Sequence, residues 1–301
     1  MCGLLVAAKY PSIIKMETPN DNRYTAAGIK RTVLDYDDIR QMVPFFDGKP
    51  RLVAALQWLL DIDKVNEAHS HNCETPGVPF TEGLLAELNI KRVVRGEEHL
   101  EAMKDGAFIT VSNHPFGAMD GIMLINLVGK HRPDMKVMVN MILNYIQAMR
   151  PNFIAVDALA SDDPAKQAVS RRGMLEAMRH VRDGHVLSFF PAGAVSKFTG
   201  ELRIQDREWQ PSVIRLIKKL RVPVVPIYFH GHNSFLFNLL GVIDWRLRTL
   251  KLPSEVFRSK NRTFRISVGR PITVAEQDAI TDVEALATYL RTKTYDLRQW
   301  Q

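Results

Sequence analysis

The 301-residue sequence predicts an α/β protein: a mixed, mostly parallel sheet flanked by helices, with a helical portion ahead of it. Three observations carry this. From about residue 105, short apolar runs of strand length alternate with longer stretches of helical periodicity, the pattern of repeated βα units. Residues 37 to about 100 read as mostly helical, their apolar side chains recurring mainly at helical spacing. The composition, 46% hydrophobic and 24% charged, is that of a chain able to bury a large core rather than remain disordered.

Taken in order, residues 1–29 read as an N-terminal extension. Met1 to Ile14 is mildly apolar, but Pro11 interrupts it and no basic residue precedes the apolar run. It is too short to span a bilayer and poor as a signal peptide. Met16 opens a polar stretch and is a second candidate start. Residues 30–104 form the helical portion. Leu52, Val53, Leu56, Leu59 and Leu60 share helical spacing, Pro76, Gly77 and Pro79 break the pattern, and a β-like stretch covers Lys91 to Arg95.

Residues 105–301 form the α/β domain. Strands are predicted at Phe108–Ser112, Lys136–Val139, His185–Phe190 and Thr263–Val268. Val222–Phe229 is also a strand, and its prolines suggest an edge position or an irregular one. Helices are predicted from Asp120, over Pro164–Arg182 with Gly184 as the stop, over Pro211–Leu220 with proline at its start, and over residues 278–297. No run reaches about 18 apolar residues, so any membrane contact is peripheral.

The net charge of +7 favours anionic partners: nucleic acid, anionic lipid or an acidic carrier protein. Nucleic acid is the weakest of these, because the basic clusters lack interleaved aromatics and no recognition motif is present. Only two cysteines occur, Cys2 and Cys73, without ligand or disulfide spacing, which fits a reducing compartment.

One segment concentrates chemistry: Ser112-Asn113-His114-Pro115-Phe116-Gly117-Ala118-Met119-Asp120-Gly121. A buried strand ends, a Pro/Gly turn follows, and an apolar helix begins. Such a turn can bring His114 back to Asp120. A carboxylate on one ring nitrogen fixes the tautomer and leaves the other nitrogen as a base. The alternative is that Asp120 merely caps the helix.

Further along stand Arg150-Pro151-Asn152-Phe153-Ile154-Ala155-Val156-Asp157, Phe190-Pro191-Ala192-Gly193-Ala194-Val195-Ser196-Lys197, and Val222-Pro223-Val224-Val225-Pro226-Ile227, closed by Gly269-Arg270-Pro271-Ile272. In this order, over roughly residues 90–275, the chain resembles the lysophospholipid acyltransferase superfamily, which includes the glycerolphosphate acyltransferases. The resemblance implies an O-acyltransferase with His114 as general base and Asp120 as its orienting partner. It implies substrate contacts at Asn113, Gly117, Arg150, Asn152, Phe153, Pro191, Ala192, Gly193, Ser196 and Lys197, with backbone amides of the 191–193 turn near the oxyanion or the headgroup. It implies no metal and no bound cofactor; acyl carrier protein or acyl-CoA is a co-substrate. A lyso-lipid is the acceptor and an anionic membrane surface the setting, at the cytoplasmic face of the inner membrane.

Two departures from the common family pattern bear on the acceptor. Five residues rather than four separate His114 from Asp120, an extra residue that Gly117 can absorb in a bulged turn, and Ala192 stands where glutamate is usual. Both resemble the hemolysin-like and ornithine-lipid branch and point to a lyso-aminolipid, such as a glycine or ornithine lipid. Lysophosphatidic acid is the alternative acceptor. A thioester hydrolase or a non-catalytic lipid-binding protein is the alternative class.

Three other features have two readings each. His69, His71 and Cys73 are packing or surface residues, or part of a metal site. His230-Gly231-His232 ends a strand and either packs or orients substrate. Phe235 to Trp245, followed by Arg246, Arg248 and Lys251, is an interfacial helix or a core helix with a basic end. Asp206 and Trp209 are expected to stabilise the turn before Pro211.

Overall fold

The computed structural model describes residues 22–157, 163–199 and 203–299. Residues 1–21, and with them Cys2 and the Met16 start, lie outside the described residues. In chain order the elements are α1 (Tyr36–Met42), α2 (Pro50–Leu59), α3 (Ile62–Asn72), α4 (Val78–Glu87), β1 (Lys91–Arg95), α5 (Glu98–Glu101), β2 (Ile109–Ser112), α6 (Ala118–His131), β3 (Lys136–Asn140) and β4 (Phe153–Val156). There follow α7 (Pro164–Arg182), β5 (Leu187–Phe189), β6 (Lys197–Phe198), β7 (Ile204–Gln205), α8 (Pro211–Leu220), β8 (Val224–His230), α9 (Phe235–Ile243), α10 (Trp245–Leu250), α11 (Leu252–Arg258), β9 (Thr263–Val268), α12 (Val274–Asp278) and α13 (Val283–Asp296).

Seven strands form one sheet in the order β1-β9-β8-β2-β5-β3-β4. All neighbours are parallel except β8 and β9. This is the mixed, mostly parallel sheet expected from the alternating pattern. Side chains alternate faces along each strand. Val225, Ile227 and Phe229 therefore join one apolar cluster with α4 and α6, while Val224, Ile109 and Leu187 join another with α7, α8 and α13. Each fully buried Ile, Leu or Phe contributes about 1.5–3 kcal/mol, whereas a surface ion pair contributes about 0–1. The two clusters, not the charged surface, thus hold the strand ends where the site is built.

The structure departs from expectation in four places. First, β1 lies in the sheet, pairing Lys91 to Thr263 and Arg95 to Ser267 in parallel, so the expected boundary at residue 104 falls inside one sheet. Second, β8 is an inner strand. Val224 donates its N–H to Ile272 O on the β9 side, and Pro226 falls one residue beyond the β8–β9 register, which begins at Ile227 and Val268. Pro226 O still accepts from Gly269 N at 2.8 Å while its nitrogen donates nothing, and the register slips by one residue between the Val224–Ile272 and Ile227–Val268 pairs, so the strand is irregular there, one of the two positions its prolines suggested. Third, α6 begins at Ala118, two residues before Asp120, so Asp120 occupies the first turn rather than the cap. Fourth, the last helix, predicted over residues 278–297, is α13 and starts at Val283, where Asp282 caps it by accepting from Ala285 N at 2.7 Å; the short α12 precedes it.

Candidate active site

Parallel strands β2, β5 and β8 end at one edge of the sheet, and chain reversals there carry the chemistry-bearing residues. Asn113 extends the β2–β8 ladder with its side chain: Nδ2 donates to Phe229 O at 2.9 Å and Oδ1 accepts from Phe229 N at 2.7 Å. Its amide is thus engaged with backbone and holds the strand end, which corrects its assignment as a substrate contact.

His114 comes next. The turn passes through Gly117, at φ +69°, ψ −117°, a conformation open to glycine and strained for other residues. A Cβ there would meet Leu252 Cδ2 at 2.6 Å and Val195 Cγ2 at 3.1 Å. Gly117 thus shapes the turn that accommodates the fifth residue between His114 and Asp120. Asp120 is fully buried, and its Oδ2 accepts the N–H groups of Phe116 at 2.7 Å and Gly117 at 3.0 Å. A carboxylate in the first helical turn is also favoured by the helix dipole.

His114 Nδ1 lies 3.1 Å from the same Oδ2, and its ring is 18% exposed. The contact is short but not aligned: neither Nδ1 nor Asp120 Oδ1 has a hydrogen-bond partner. Burial pushes the Asp120 carboxyl above its ordinary range, against the opposing influence of His114 and the two backbone N–H groups. The His114 ring stacks on Phe190, centroids 4.0 Å apart and planes at 28°, which fixes its orientation from the β5 side. With Nδ1 buried against Asp120, Nε2 is the nitrogen left to exchange a proton with a bound hydroxyl.

The 190–197 block turns beside this ring. Gly193, at φ +65°, donates its N–H to Phe190 O at 2.9 Å, and Pro191 O accepts from Gln210 N at 2.9 Å. The Gly193 amide is therefore engaged within the turn rather than directed at an oxyanion. Ala192 is fully buried in the α7–α8–α13 cluster, with its carbonyl accepting from Arg207 Nε at 3.1 Å. Its methyl faces the core, so this position presents nothing to a substrate. Ser196 is also buried: its N–H donates to His114 O at 2.9 Å and its hydroxyl to Asp206 Oδ1 at 2.6 Å. Lys197 is exposed on β6 next to it.

Arg150, Asn152 and Phe153 stand elsewhere. They precede or open β4, so they lie toward the N-terminal end of a parallel set whose C-terminal end carries His114. Arg150 Nε donates to Asn144 O, Asn152 Nδ2 donates to Met135 O, and Phe153 is core. The loose match to the second block misplaced these contacts by the length of a strand.

Two residues near the site were not foreseen as part of it. Asp206 reaches the His114 backbone, and Arg248 is 8% exposed, donating to the carbonyls of Ser196 at 3.0 Å and Val195 at 3.2 Å. Arg248 was expected as a surface cation; it points inward and supports the turn. His69 packs on Phe80 and pairs Nδ1 with Arg31 O at 2.9 Å, a structural role, and Cys73 is buried and free.

Beside the site, at the end of β8, opens a cavity of about 980 Å³. Phe198, Phe235, Leu239 and Val242 give it an apolar wall, and His230, Arg203 and Arg298 a polar one. His230 donates to or accepts from Ser267 Oγ at 2.8 Å. Burial, then repulsion by Arg265 and Arg95, pushes its pKa down to about 4. The ring is neutral at pH 7 while its surroundings remain electropositive. Above the cavity α9 and α10 expose Phe235, Leu236, Val242, Ile243, Trp245, Leu247 and Leu250. Among the described residues no helix is long and apolar enough to cross a membrane.

A histidine beside a buried carboxylate, near an amphipathic cavity, is an arrangement able to take the proton of a bound hydroxyl. A model of the acyltransferase family matches residues 54–300, and the chain belongs to that family: it is an acyltransferase. The chain is 30% identical to a lyso-glycine lipid O-acyltransferase of Bacteroides thetaiotaomicron, over 82% of this chain and 89% of that one. It is 28% identical to a lyso-glycine lipid O-acyltransferase of Phocaeicola vulgatus, over 86% and 94%. The crystal structure of the 1-acyl-sn-glycerophosphate (LPA) acyltransferase PlsC of Thermotoga maritima aligns over 88% of this chain and 92% of its own, with TM-score 0.47 and 17% identity.

Proposed function

We propose that the protein transfers a fatty acyl group from a thioester, carried by acyl carrier protein or CoA, to the hydroxyl of a lyso-aminolipid, and that a lyso-glycine lipid is the preferred acceptor. The observation that carries this is the His114–Asp120 pair, with Nε2 left for a substrate, beside a cavity that is apolar on one wall and cationic on another. The names of the two bacterial relatives support the same acceptor.

In this reading Nε2 takes the proton of the acceptor hydroxyl as its oxygen bonds to the thioester carbonyl carbon. The tetrahedral intermediate collapses, the C–S bond breaks, and the leaving thiolate takes the proton from the imidazolium. Asp120 stabilises that imidazolium. The acyl chain of the acceptor lies along Phe235, Leu239 and Val242, and its glycine carboxylate is met by the basic wall that includes Arg298. Ala192 and its neighbours supply no acidic contact for a glycerol hydroxyl, which favours an acidic headgroup that arginine recognises. The exposed faces of α9 and α10 dock on an anionic membrane surface, at the cytoplasmic face of the inner membrane, and feed the acceptor in laterally.

The test is a side-by-side assay of N-(3-hydroxyacyl)glycine, N-(3-hydroxyacyl)ornithine and lysophosphatidic acid with both donors. The expected result is transfer to the glycine lipid with the highest kcat/KM. Preference for lysophosphatidic acid overturns the acceptor; thioester turnover independent of any acceptor overturns acyl transfer in favour of hydrolysis.

A further inference from the structure

A second buried carboxylate stands on the other side of His114. Asp206 lies in the segment that leads from β7 to α8 and is 3% exposed. One oxygen, Oδ1, accepts the backbone N–H of His114 at 3.1 Å and the Ser196 hydroxyl at 2.6 Å; the other, Oδ2, lies 3.4 Å from Trp209 Nε1. The Asp206 main chain is held in turn by α13: its N–H donates to Tyr295 Oη at 2.9 Å and its carbonyl accepts from Arg291 at 3.2 Å. Ser196 closes the ring by donating its own N–H to His114 O. His114 is therefore gripped at both backbone polar atoms by the two segments that flank the β6–β7 ladder.

A turn stabiliser alone does not require this arrangement. The bond to Trp209 would hold the turn before α8, but the shorter and more numerous bonds run to His114 and Ser196. We infer that Asp206 is a positioning residue for acyl transfer, fixing the His114 backbone through its N–H and tying it to the Ser196 turn. The inference rests on His114 being the base. Its physical content is that misplacing a base by about 1 Å costs on the order of a hundredfold in rate even when the fold survives. Fixing the backbone also fixes where Nδ1 meets Asp120. The charged and titratable groups near this spot include Asp120 on α6, Arg207 beside Ala192, Tyr228 on β8, Arg248 from α10, and Arg291 and Tyr295 from α13.

The experiment compares full-length wild type with Asp206→Asn, Asp206→Ala, Ser196→Ala and His114→Ala in one acyl-transfer assay, with kcat and KM measured separately and thermal unfolding alongside. Asp206→Asn keeps an acceptor oxygen but removes the charge. Its kcat is expected to fall about tenfold with KM for both substrates little changed. Asp206→Ala is expected to lose about a hundredfold, and Ser196→Ala, which keeps the Ser196 N–H bond, to fall between wild type and Asp206→Ala. If the Asp206 variants only unfold at lower temperature, and their folded fraction keeps the wild-type kcat, the residue merely holds the turn and the inference is overturned. If His114→Ala retains activity, the reading of His114 as base is what fails.

Discussion

Asp120 Oδ2 serves three groups at once: the N–H of Phe116, the N–H of Gly117, and, at 3.1 Å, Nδ1 of His114. The two backbone bonds hold the carboxylate in place whether or not the imidazole is charged. The contact with Nδ1 is unaligned, and a small rotation of the ring as Nε2 gains a proton would complete it. Catalytic hydrogen bonds are often loose before substrate binds.

Asp120→Asn is expected to separate activity from stability. Transfer should drop by about two to four orders of magnitude, as for loss of a general-base system. Stability runs the other way. Burial raises the folded carboxyl above its ordinary value of 3.8. Below pH 3.8 both states are protonated and nothing is lost; as pH rises, the folded state pays for an ionised buried acid. The amide carries no such penalty, so the thermal midpoint at pH 7 should equal or exceed that of wild type. A wild-type rate would reduce Asp120 to a tie at the start of α6.

Gly117→Ala should be destabilising and nearly inactive. The backbone conformation disfavours any Cβ by about 1–3 kcal/mol, and Val195 Cγ2, on the turn that holds Ser196, stands 3.1 Å from the added atom. Urea unfolding and kcat measured together check this; an unchanged midpoint would show that the turn tolerates another geometry.

His230 makes the fold sensitive to acid. Its folded pKa, pushed down to about 4, lies below the ordinary value of 6.5. The unfolded chain therefore takes the proton first, and stability is lost as pH falls from about 6.5 toward about 4. In urea titrations at pH 7 and pH 5, His230→Gln should show a smaller drop in midpoint than wild type. Equal drops would assign the acid sensitivity to other groups.

Vesicle binding should follow the exposed side chains of α9 and α10 rather than every basic residue nearby. Trp245 and Arg246 face solvent, whereas Arg248 is buried. Arg246→Gln should weaken binding to anionic vesicles at low salt by about 1 kcal/mol, and Trp245→Ser should weaken it by removing an interfacial aromatic. Arg248→Gln should leave vesicle affinity intact but impair transfer through the Ser196 turn. Cosedimentation with vesicles measures all three; no binding by wild type would dismiss membrane docking.

How legible each feature was depended on how local its determinants are. The βα alternation and the His114-to-Asp120 turn are written in contiguous residues, so strand order aside, both could be read directly. β1 was visible as a β-like stretch, but its partner β9 lies about 170 residues on, and nothing local assigns it to the sheet. Asp206 is 92 residues from His114, and its acidic side chain resembles many turn carboxylates until the backbone N–H it accepts is seen. Arg246 and Arg248 read as one basic end. Two residues apart on a helix point about 200° from each other, so one of them had to face inward. Arg150 was assigned through a loosely matched block, where a shift of a few residues exchanges one end of a strand for the other.

The most direct measurement is the rate of acyl transfer to N-(3-hydroxyacyl)glycine by purified His114→Ala, alongside wild type and a circular dichroism check of the fold. The account predicts a folded protein whose transfer rate is lower by about two to four orders of magnitude. A folded His114→Ala that transfers at near the wild-type rate would contradict it.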